Sequence, residues 1–548
     1  MVFLTNLRRK VLPQVFKWTI SLQSRRYKST IFALSSGHGK CGVAVIRVSG
    51  PKSSSVFSKM TTLKDVPAPR KAVLLPISDP ETHLTLDKGI ALWFPAPHSF
   101  TGENCCELQI HGGLAVISSV LTALGKLEDF KPASPGEFTK RAFYANKLDL
   151  TEVEGLADLI DAETEFQRRQ ALYQMEGNLS RLYSEWREIL SRCLAFVEAY
   201  IDFSEDDNIE DNILQKVEAD LRDLSRSFEM HLLNGRKGER LRSGVRTSIL
   251  GAPNVGKSSL LNSLCGRPAA IVTEIPGTTR DVIETTLNIN GYPLLLADTA
   301  GIRADSSDLV EKEGITRAYS SSEKSDFLLF ILDANQFFDN MKNHFKSDSV
   351  DSAFASKLFQ LFFKNHISNL NLNSFFSFPS GSCLQKSEDM NASQAAKGSS
   401  YIEVENDNFF SIKCTKNFLI ILNKIDLLDG PKKRFCHNLA EVNKMIVPIS
   451  CQTEENFMRL ISLITENLSD LCGNPTREDP ALSQVRHRHY INECNQALMQ
   501  YFLNSSDENI VIGAEYLREA ISNLGKITGH VSSEELLDII FKKFCIGK

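Results

Sequence analysis

The sequence predicts a multidomain protein of α+β and α/β class: an N-terminal α+β domain, a discontinuous α-helical bundle, and a doubly wound domain inserted between the bundle's two parts. Three observations predict it. Short apolar runs bounded by turn residues occupy the stretch to about 148, an apolar seam with steps of three and four follows, and from Thr247 strand-like and helix-like runs alternate around glycine-bearing loops.

The chain's 548 residues suggest about three or four domains. Its 42% hydrophobic and 24% charged residues are those of globular protein, and a net charge of -5 excludes a basic footprint spread over the whole molecule. Any RNA contact must be local or shared. Residues 1–30 carry Arg8, Arg9, Lys10, Lys17, Arg25, Arg26 and Lys28 and no acid, and the first acidic residue is Asp65. This composition is that of an organellar transit peptide, expected to direct the chain to the mitochondrial matrix, with Arg25-Arg26-Tyr27 as the cleavage neighbourhood; a disordered basic tail is the alternative. No apolar run approaches the roughly 18 residues of a membrane span, so no membrane insertion is expected. The twelve cysteines show no C-x-x-C pair, which indicates neither a disulfide framework nor a structural metal.

The first folded domain is expected over 31–148, with strands at 44–48, 72–77, 89–94 and 106–110 and a helix at 114–127. Cys105 and Cys106 should alternate faces of a strand, one to the core and one to the surface. The first part of the helical domain, 149–245, contains Leu179, Leu182, Trp186, Ile189, Cys193, Phe196 and Tyr200 as the seam of an amphipathic helix. The inserted domain, 246–470, opens with a strand at 247–250. Its runs at 327–332 and 418–422 read as neighbouring parallel strands, yet their connection far exceeds the roughly 30 residues of a βαβ unit. The stretch 336–412, rich in Ser, Asn, Lys and Phe, therefore reads as a flexible insertion away from the nucleotide; the alternative is a Phe-rich partner-docking patch. Residues 471–548 form the second part of the helical domain, with helices near 491–502, 514–524 and 533–544. They are too few for a large core alone and should complete the bundle.

The inserted domain carries its own chemistry. Gly251-Ala-Pro-Asn254-Val255-Gly256-Lys257-Ser258-Ser259 is a P-loop whose backbone N-H groups wrap phosphates at a helix N-terminus, with Lys257 between β and γ oxygens and the Ser258 hydroxyl on Mg2+. Downstream, Asn423-Lys424-Ile-Asp426 reads guanine: Asp426 accepts from N1 and N2, Asn423 faces the N7/O6 side, and the Lys424 stem covers the ring. Ser450-Cys451-Gln452 finishes the base pocket. Thr278-Thr279 lies where a switch threonine must reach Mg2+, and Asp298-Thr299-Ala300-Gly301 supplies an outer-sphere acid and a γ-phosphate sensor. Three motifs in working order make the chain a GTPase. Ile302 stands where a Ras-type GTPase carries its water-orienting glutamine, and isoleucine cannot orient water. Glu311 and Glu313 are the local candidates for that task, against the alternative that both are solvated helix-start acids.

Beyond the nucleotide motifs, the chain carries Gly42 to Pro51, Phe94 to Glu103, Glu107 to Gly113, Pro135-Gly-Glu-Phe138, Lys147-Leu-Asp-Leu150, Ile527-Thr-Gly529 and a terminal Phe544-Cys545-Ile-Gly-Lys548. With these it resembles the MnmE (TrmE) family of tRNA-modification GTPases, mitochondrial branch, over nearly all of 31–548 apart from the insertion. The resemblance implies a Ras-like G domain and an N-terminal tetrahydrofolate-binding, dimerising domain. It implies K+ held by Asn254, Thr273, Ile275 and Thr278 in place of an arginine finger, Mg2+ on Ser258 and Thr279, and Glu311 positioning the attacking water. Lys257, Thr279 and Gly301 complete the hydrolytic set. Arg47, Glu107, Lys147 and Lys548 match contacts to 5,10-methylene- or 5-formyl-tetrahydrofolate, and Cys545 matches a residue beside the one-carbon unit, a packed inert thiol being its alternative. The implied partners are a second copy of the chain, an FAD-dependent MnmG-type subunit using FAD and NADH, and mitochondrial tRNA. The implied product is a carboxymethylaminomethyl- or taurinomethyl-type wobble uridine.

Two other functions compete. A mitochondrial ribosome-assembly GTPase binding rRNA would need an RNA-binding module such as a KH domain with its G-x-x-G clamp, and none follows the G domain. A dynamin-like mechanical GTPase would need a membrane-binding segment, and neither rival accounts for the terminal Cys-Ile-Gly-Lys.

Overall fold

The computed structural model describes residues 29–37, 39–203, 213–266, 285–296, 322–340, 362–364, 376–377, 413–414 and 416–548, the last range without 478–479, 481, 483, 506–508, 532–533 and 543. The N-terminal domain consists of β1 (Thr30–Leu34), β2 (Cys41–Ser49), α1 (Ser55–Met60), β3 (Val73–Ser78), β4 (Thr85–Phe94), β5 (Cys105–Gly112), α2 (Leu114–Gly125), β6 (Phe130–Pro132) and α3 (Glu137–Tyr144). Its sheet has the order β3-β4-β5-β2-β1-β6. The strands outrun their apolar cores because ladder pairing recruits polar ends: β4 takes in Asp87 and Lys88, paired with Ile77 and Pro76.

Ile46, Val48, Cys106 and Leu108 form one face of the sheet and pack under Phe57, Val120 and Leu124 of the helices. On the other face, Ile31 and Ala33 pack with Ala133 and Phe138. Covering both faces changes the expectation for the cysteine pair: Cys105 and Cys106 are both buried, at 3% and 0% exposure. At this end of the central strand both faces are covered, so neither cysteine reaches the surface.

The helical part begins with α4 (Leu150–Asp161) and α5 (Glu165–Met175), each opened by a capping box, Asp149 with Glu152 and Thr164 with Gln167. The long α6 (Asn178–Phe203) and α7 (Ile213–Ser243) follow. In α6 the buried stripe is Leu179, Tyr183, Trp186, Leu190, Cys193 and Val197. This corrects the expected seam by one residue at three positions, where Tyr183, Leu190 and Val197 go inside: Leu182 and Ile189 are only partly packed, and Phe196 is exposed. Tyr183 can go inside because its hydroxyl finds His231 Nε2 at 3.3 Å.

The inserted domain contains β7 (Val245–Leu250), α8 (Lys257–Cys265), β8 (Thr285–Ile289), β9 (Tyr292–Leu296), β10 (Phe327–Asp333), α9 (Ala334–Asn340), the two-residue pair β11 (Phe376–Ser377) and β12 (Lys413–Cys414), β13 (Asn417–Asn423), α10 (Gly430–Val442), β14 (Ile446–Pro448) and α11 (Phe457–Cys472). Its sheet order is β14-β13-β10-β7-β9-β8, parallel except at β8. The segment expected as an insertion from 336 begins inside α9. Its described aromatics, Phe337, Phe338, Phe362 and Phe363, are buried against Phe330, Phe418 and Phe435. Within the described residues, then, these phenylalanines cover the sheet rather than form a docking face.

After the inserted domain, α12 (Val485–Leu503) and α13 (Ile510–Thr528) return to α6 and α7, where Ile491, Leu498, Leu517 and Leu524 join the same cluster as Trp186 and Phe228. The last helix, α14 (Glu534–Phe541), does not enter that bundle. Leu537, Ile540, Phe541 and Phe544 pack with Leu150 and Val153, Lys140 on α3 meets Asp538 at 2.7 Å, and Gly136 lies so close that a Cβ there would overlap the Phe541 carbonyl. The C-terminus is thereby delivered to the N-terminal domain.

Candidate functional site

The P-loop leaves the end of β7, a central strand flanked by β10 and β9, and turns into α8. Two glycines are required by contact. A Cβ on Gly251 would overlap the Ile331 carbonyl, and one on Gly256, whose φ is 105°, would overlap the Asn423 amide nitrogen. Between them Asn254 holds φ 62°, with an exposed side chain, and Val255 is buried. Lys257 donates to the carbonyls of Gly251 (2.7 Å) and Ala252 (2.8 Å), and burial lowers its ammonium pKa. Ser258 and Ser259 stand exposed in the first turn of α8. Backbone donors, a lysine folded over the loop and an exposed first turn fit a nucleotide's phosphates, and Ser258 on that turn is the residue that would hold Mg2+.

Asn423 has a bracing role besides the expected one. It is 2% exposed, its Nδ2 donates to the Val255 carbonyl at 2.9 Å, and its Oδ1 accepts from Cys451 N at 3.1 Å. Those two bonds make Asn423 a brace between the P-loop and the 450–452 loop, and they use one of its two amide N-H donors, which leaves the second for the N7/O6 side of a base. Lys424, in the left-handed region at φ 67°, donates to the Asn254 carbonyl (2.7 Å) and to Asp333 Oδ2 (2.8 Å). Its stem is thus held straight by an acid that sequence reasoning missed. Asp333 is the last residue of an otherwise apolar β10, in register with Asn423, and that lone carboxylate was the available signal.

Asp426 is half-buried in a 3-10 turn. Burial, reinforced by the Asp426 charge, pushes the Cys451 thiol up to about 11, so the Asp426 carboxylate and the 450–452 loop converge. Ser450 is buried, its Oγ accepting from Gln452 N (3.2 Å) and Thr453 N (3.1 Å). Thr273, Ile275, Thr278, Thr279, Asp298, Thr299, Ala300, Gly301, Ile302, Glu311 and Glu313 lie outside the described residues.

A second site forms on the N-terminal sheet. Arg47 on β2 and Glu107 on β5 are register partners, and Arg47 Nε donates to Glu107 Oε1 at 2.9 Å with both side chains mostly buried. The guanidinium lies 5.0 Å from the Phe100 ring centre and 5.8 Å from that of Phe138. Lys548 arrives from the other end of the chain. Ser35 Oγ donates to the Gly547 carbonyl at 2.9 Å, and Gly547, at φ 101°, fits so tightly that a Cβ would overlap the Leu34 carbonyl. Burial and the Arg47 charge lower the Lys548 pKa, while Glu107 and Cys545 act against them, which puts all four groups in one neighbourhood. Cys545 is exposed.

Lys147 is exposed, its stem against Gly102 in the loop that follows Phe100. Ser35, Phe100 and the fully buried Arg141, which binds Glu103 and Glu137 at 2.9 Å each, are supports that sequence reasoning missed. A carboxylate held by an arginine, with two aromatics and the Lys548 cation beside the pair, fits an anionic ligand with a flat heterocycle such as a folate. Among the described residues no helix is long and apolar enough to cross a membrane.

Comparison with known proteins matches two family models: the GTP-binding protein TrmE N-terminus over residues 30–147 and the MnmE helical domain over 150–545. A mitochondrial 5-taurinomethyluridine tRNA synthase subunit, GTPB3, of Danio rerio is 45% identical over 522 residues, covering 95% of this chain and 93% of its own. Its Homo sapiens counterpart is 41% identical over 524 residues with the same coverage. The tRNA modification GTPase MnmE of Parvibaculum lavamentivorans is 40% identical, covering 95% of this chain and 100% of its own.

Proposed function

Because this chain belongs to the MnmE/TrmE family of tRNA modification GTPases, we propose that it is the K+-activated GTPase of a mitochondrial complex that modifies C5 of the wobble uridine, position 34, of mitochondrial tRNAs. Hydrolysis of GTP in tRNA modification is the family's activity and this chain's. The observation that carries the finer reading is the meeting of Lys548 and Cys545 with Arg47 and Glu107, because a G-domain switch alone has no use for it.

In the G domain, Lys257 and the P-loop amides hold the phosphates, Ser258 and Thr279 hold Mg2+, and Asp426 selects guanine over adenine through its two N-H acceptor positions. Asn254, Thr273, Ile275 and Thr278 hold K+, supplying positive charge where an arginine finger would otherwise act, and Glu311 orients water in place of the side chain that Ile302 lacks. In the second site, Arg47, Glu107, Lys147 and Lys548 hold a 5,10-methylene- or 5-formyl-tetrahydrofolate, which supplies a one-carbon unit when bound. Cys545 stands next to that position. The chain acts as a homodimer with an FAD-dependent MnmG-type subunit, whose FAD and NADH carry the redox step, and the product is a carboxymethylaminomethyl- or taurinomethyl-type uridine. The acid-free basic stretch 1–30 and the mitochondrial names of its relatives support a place in the matrix.

The test is nucleoside analysis of mitochondrial tRNA from cells lacking the protein. Loss of the C5 group at wobble uridines is expected, and normal wobble uridines would remove the assignment. In vitro, turnover should be much faster in K+ than in Na+ at equal ionic strength, and Glu311→Ala should slow it while GTP affinity is kept.

A further inference from the structure

Away from both sites, a cavity of about 280 Å3 opens where α4, α5 and the end of α7 meet, two residues before β7 and the P-loop strand begins. Asp158, Asp161, Gln170 and Arg242 line it, with Ala162 and Ala171 as its apolar patch. Asp158 accepts from Arg242 Nε at 2.7 Å and from Gln484 Nε2 at 3.2 Å, and Asp161 stands exposed at the mouth. The wall therefore holds two carboxylates against one cation.

Gln170 adds an independent sign. It is 7% exposed, its Nε2 donates to the Gly238 carbonyl at 3.1 Å, and its Oε1 accepts no hydrogen bond among the described residues. A buried amide oxygen left without a donor is costly and rare in a native fold. The neighbouring Gln167 shows the contrast, since its Oε1 accepts from Glu163 N and Thr164 N.

The surrounding charges deepen the shortage of donors. Glu154 and Asp161 on α4 and Glu163 in the α4–α5 turn face the carboxylates, Arg242 on α7 opposes them, and Arg486 on α12 is taken up by Glu154. Burial raises the Asp158 pKa to about 6, against the pull of Arg242, and burial raises that of Asp161 as well. Additional positive charge in the cavity would let both ionise fully.

We propose that this cavity binds the primary ammonium group of a small organic molecule, its three N-H donors shared among Gln170 Oε1, Asp158 and Asp161 and its carbon chain lying on Ala162 and Ala171. An ammonium carries three donors and no acceptor, which matches a wall with one unanswered buried acceptor, Gln170 Oε1, and two carboxylates against a single cation.

Titration calorimetry of the full-length protein with ethylammonium chloride, at pH 6.5 and constant ionic strength made up with tetramethylammonium chloride, tests it. Saturable binding at one site per chain is expected, with proton release from Asp158 that appears as a dependence of the heat on buffer ionisation enthalpy. Gln170→Leu should raise Kd by about tenfold or more, as loss of a hydrogen bond to a charged group does. Asp161→Asn, at an exposed position that does not endanger folding, should do the same. Absence of saturable heat, equal binding of KCl, or an unchanged Kd in Asp161→Asn would overturn the proposal.

Discussion

Asn423 donates its side-chain amide to the carbonyl of Val255 at 2.9 Å, so the residue that opens the guanine motif is a strut inside the phosphate loop. Its carbonyl oxygen, on the opposite end, takes the Cys451 N-H. One buried side chain thus ties three nucleotide-facing loops, and Gly256 is kept free of a Cβ by that same amide.

Replacing it should therefore act on the loops, beside any base contact made by its second amide N-H. Asn423→Ala leaves a carbonyl and an N-H unanswered in a buried place, at a cost of about 2 kcal/mol in the stability of the G domain. GTP and ATP affinities should fall together, by roughly tenfold each for ~1.4 kcal/mol of lost loop order. Denaturant unfolding and fluorescent-nucleotide titration measure the two effects. A fall confined to guanine nucleotides would return Asn423 to base reading.

How much of this was legible beforehand depended on sequence distance. Gly251, Gly256 and Lys257 lie in one short run whose spacing carries its own geometry, and the structure keeps them as a loop between β7 and α8. The partner of Lys424 lies 91 residues upstream, and no local pattern points to Asp333. On α6 the ambiguity is of another kind. Leu182 with Ile189 and Tyr183 with Leu190 lie on adjacent stripes, so a three-and-four step admits both, and only the neighbours on α7, α12 and α13 decide which goes inside. The junction of Lys548 with Arg47 joins the two ends of the chain. Only the family resemblance made it legible, because no periodicity relates residues so far apart.

Asp333 is expected to govern guanine affinity through Lys424. Its carboxylate, whose side chain is 8% exposed, accepts from Lys424 Nζ at 2.8 Å and from Asn335 N at 2.9 Å. Asp333→Asn removes the charge opposite the ammonium while nearly conserving shape. The lysine stem loses its anchor, and GDP affinity should fall by about tenfold, the scale of ~1.5 kcal/mol for a charge-assisted bond. Double substitution with Lys424→Ala should cost little more than Lys424→Ala alone, because the two residues act as one unit.

The helical bundle should weaken in mild acid through His231. Burial, with His487 adding to it, lowers this imidazole to about 4, whereas an unfolded histidine titrates near 6.5. Between those values the unfolded chain binds a proton that the folded one refuses, so stability falls as pH drops from about 6.5 to 4 and the loss is complete below that. The full difference is about 3 kcal/mol, of which about 2 kcal/mol is reached by pH 5. Glu154 acts in a lower window. Burial would raise it, but His487 and Arg486 outweigh burial and hold it at about 2, so its contribution is present above about 4.5 and lost toward 2. His231→Gln should flatten the upper window in helical circular-dichroism unfolding at pH 7 and 5, leaving the part of the slope that belongs to the likewise buried His487.

Gly547→Ala should separate the two chemistries of the chain. The added methyl would overlap the Leu34 carbonyl and must enter at φ 101°, a region that alanine avoids, so the final residues are forced off β1. The Ser35 bond to the Gly547 carbonyl is lost with them, and Lys548 and Cys545 leave the Arg47–Glu107 pair. The P-loop, the Asn423 brace and the Lys424–Asp333 pair are built from other residues and remain as they are. GTP affinity and basal hydrolysis should stay within about twofold of wild type, while binding of 5-formyl-tetrahydrofolate, followed by calorimetry, should weaken by about tenfold or more with the loss of a partly buried cation, on the scale of ~1.5–3 kcal/mol. Ser35→Ala should show the same division in milder form, since it removes the hydroxyl anchor without a clash. Equal folate affinity in both variants would mean that the chain end is packing alone and that Arg47 and Glu107 recognise the ligand without it.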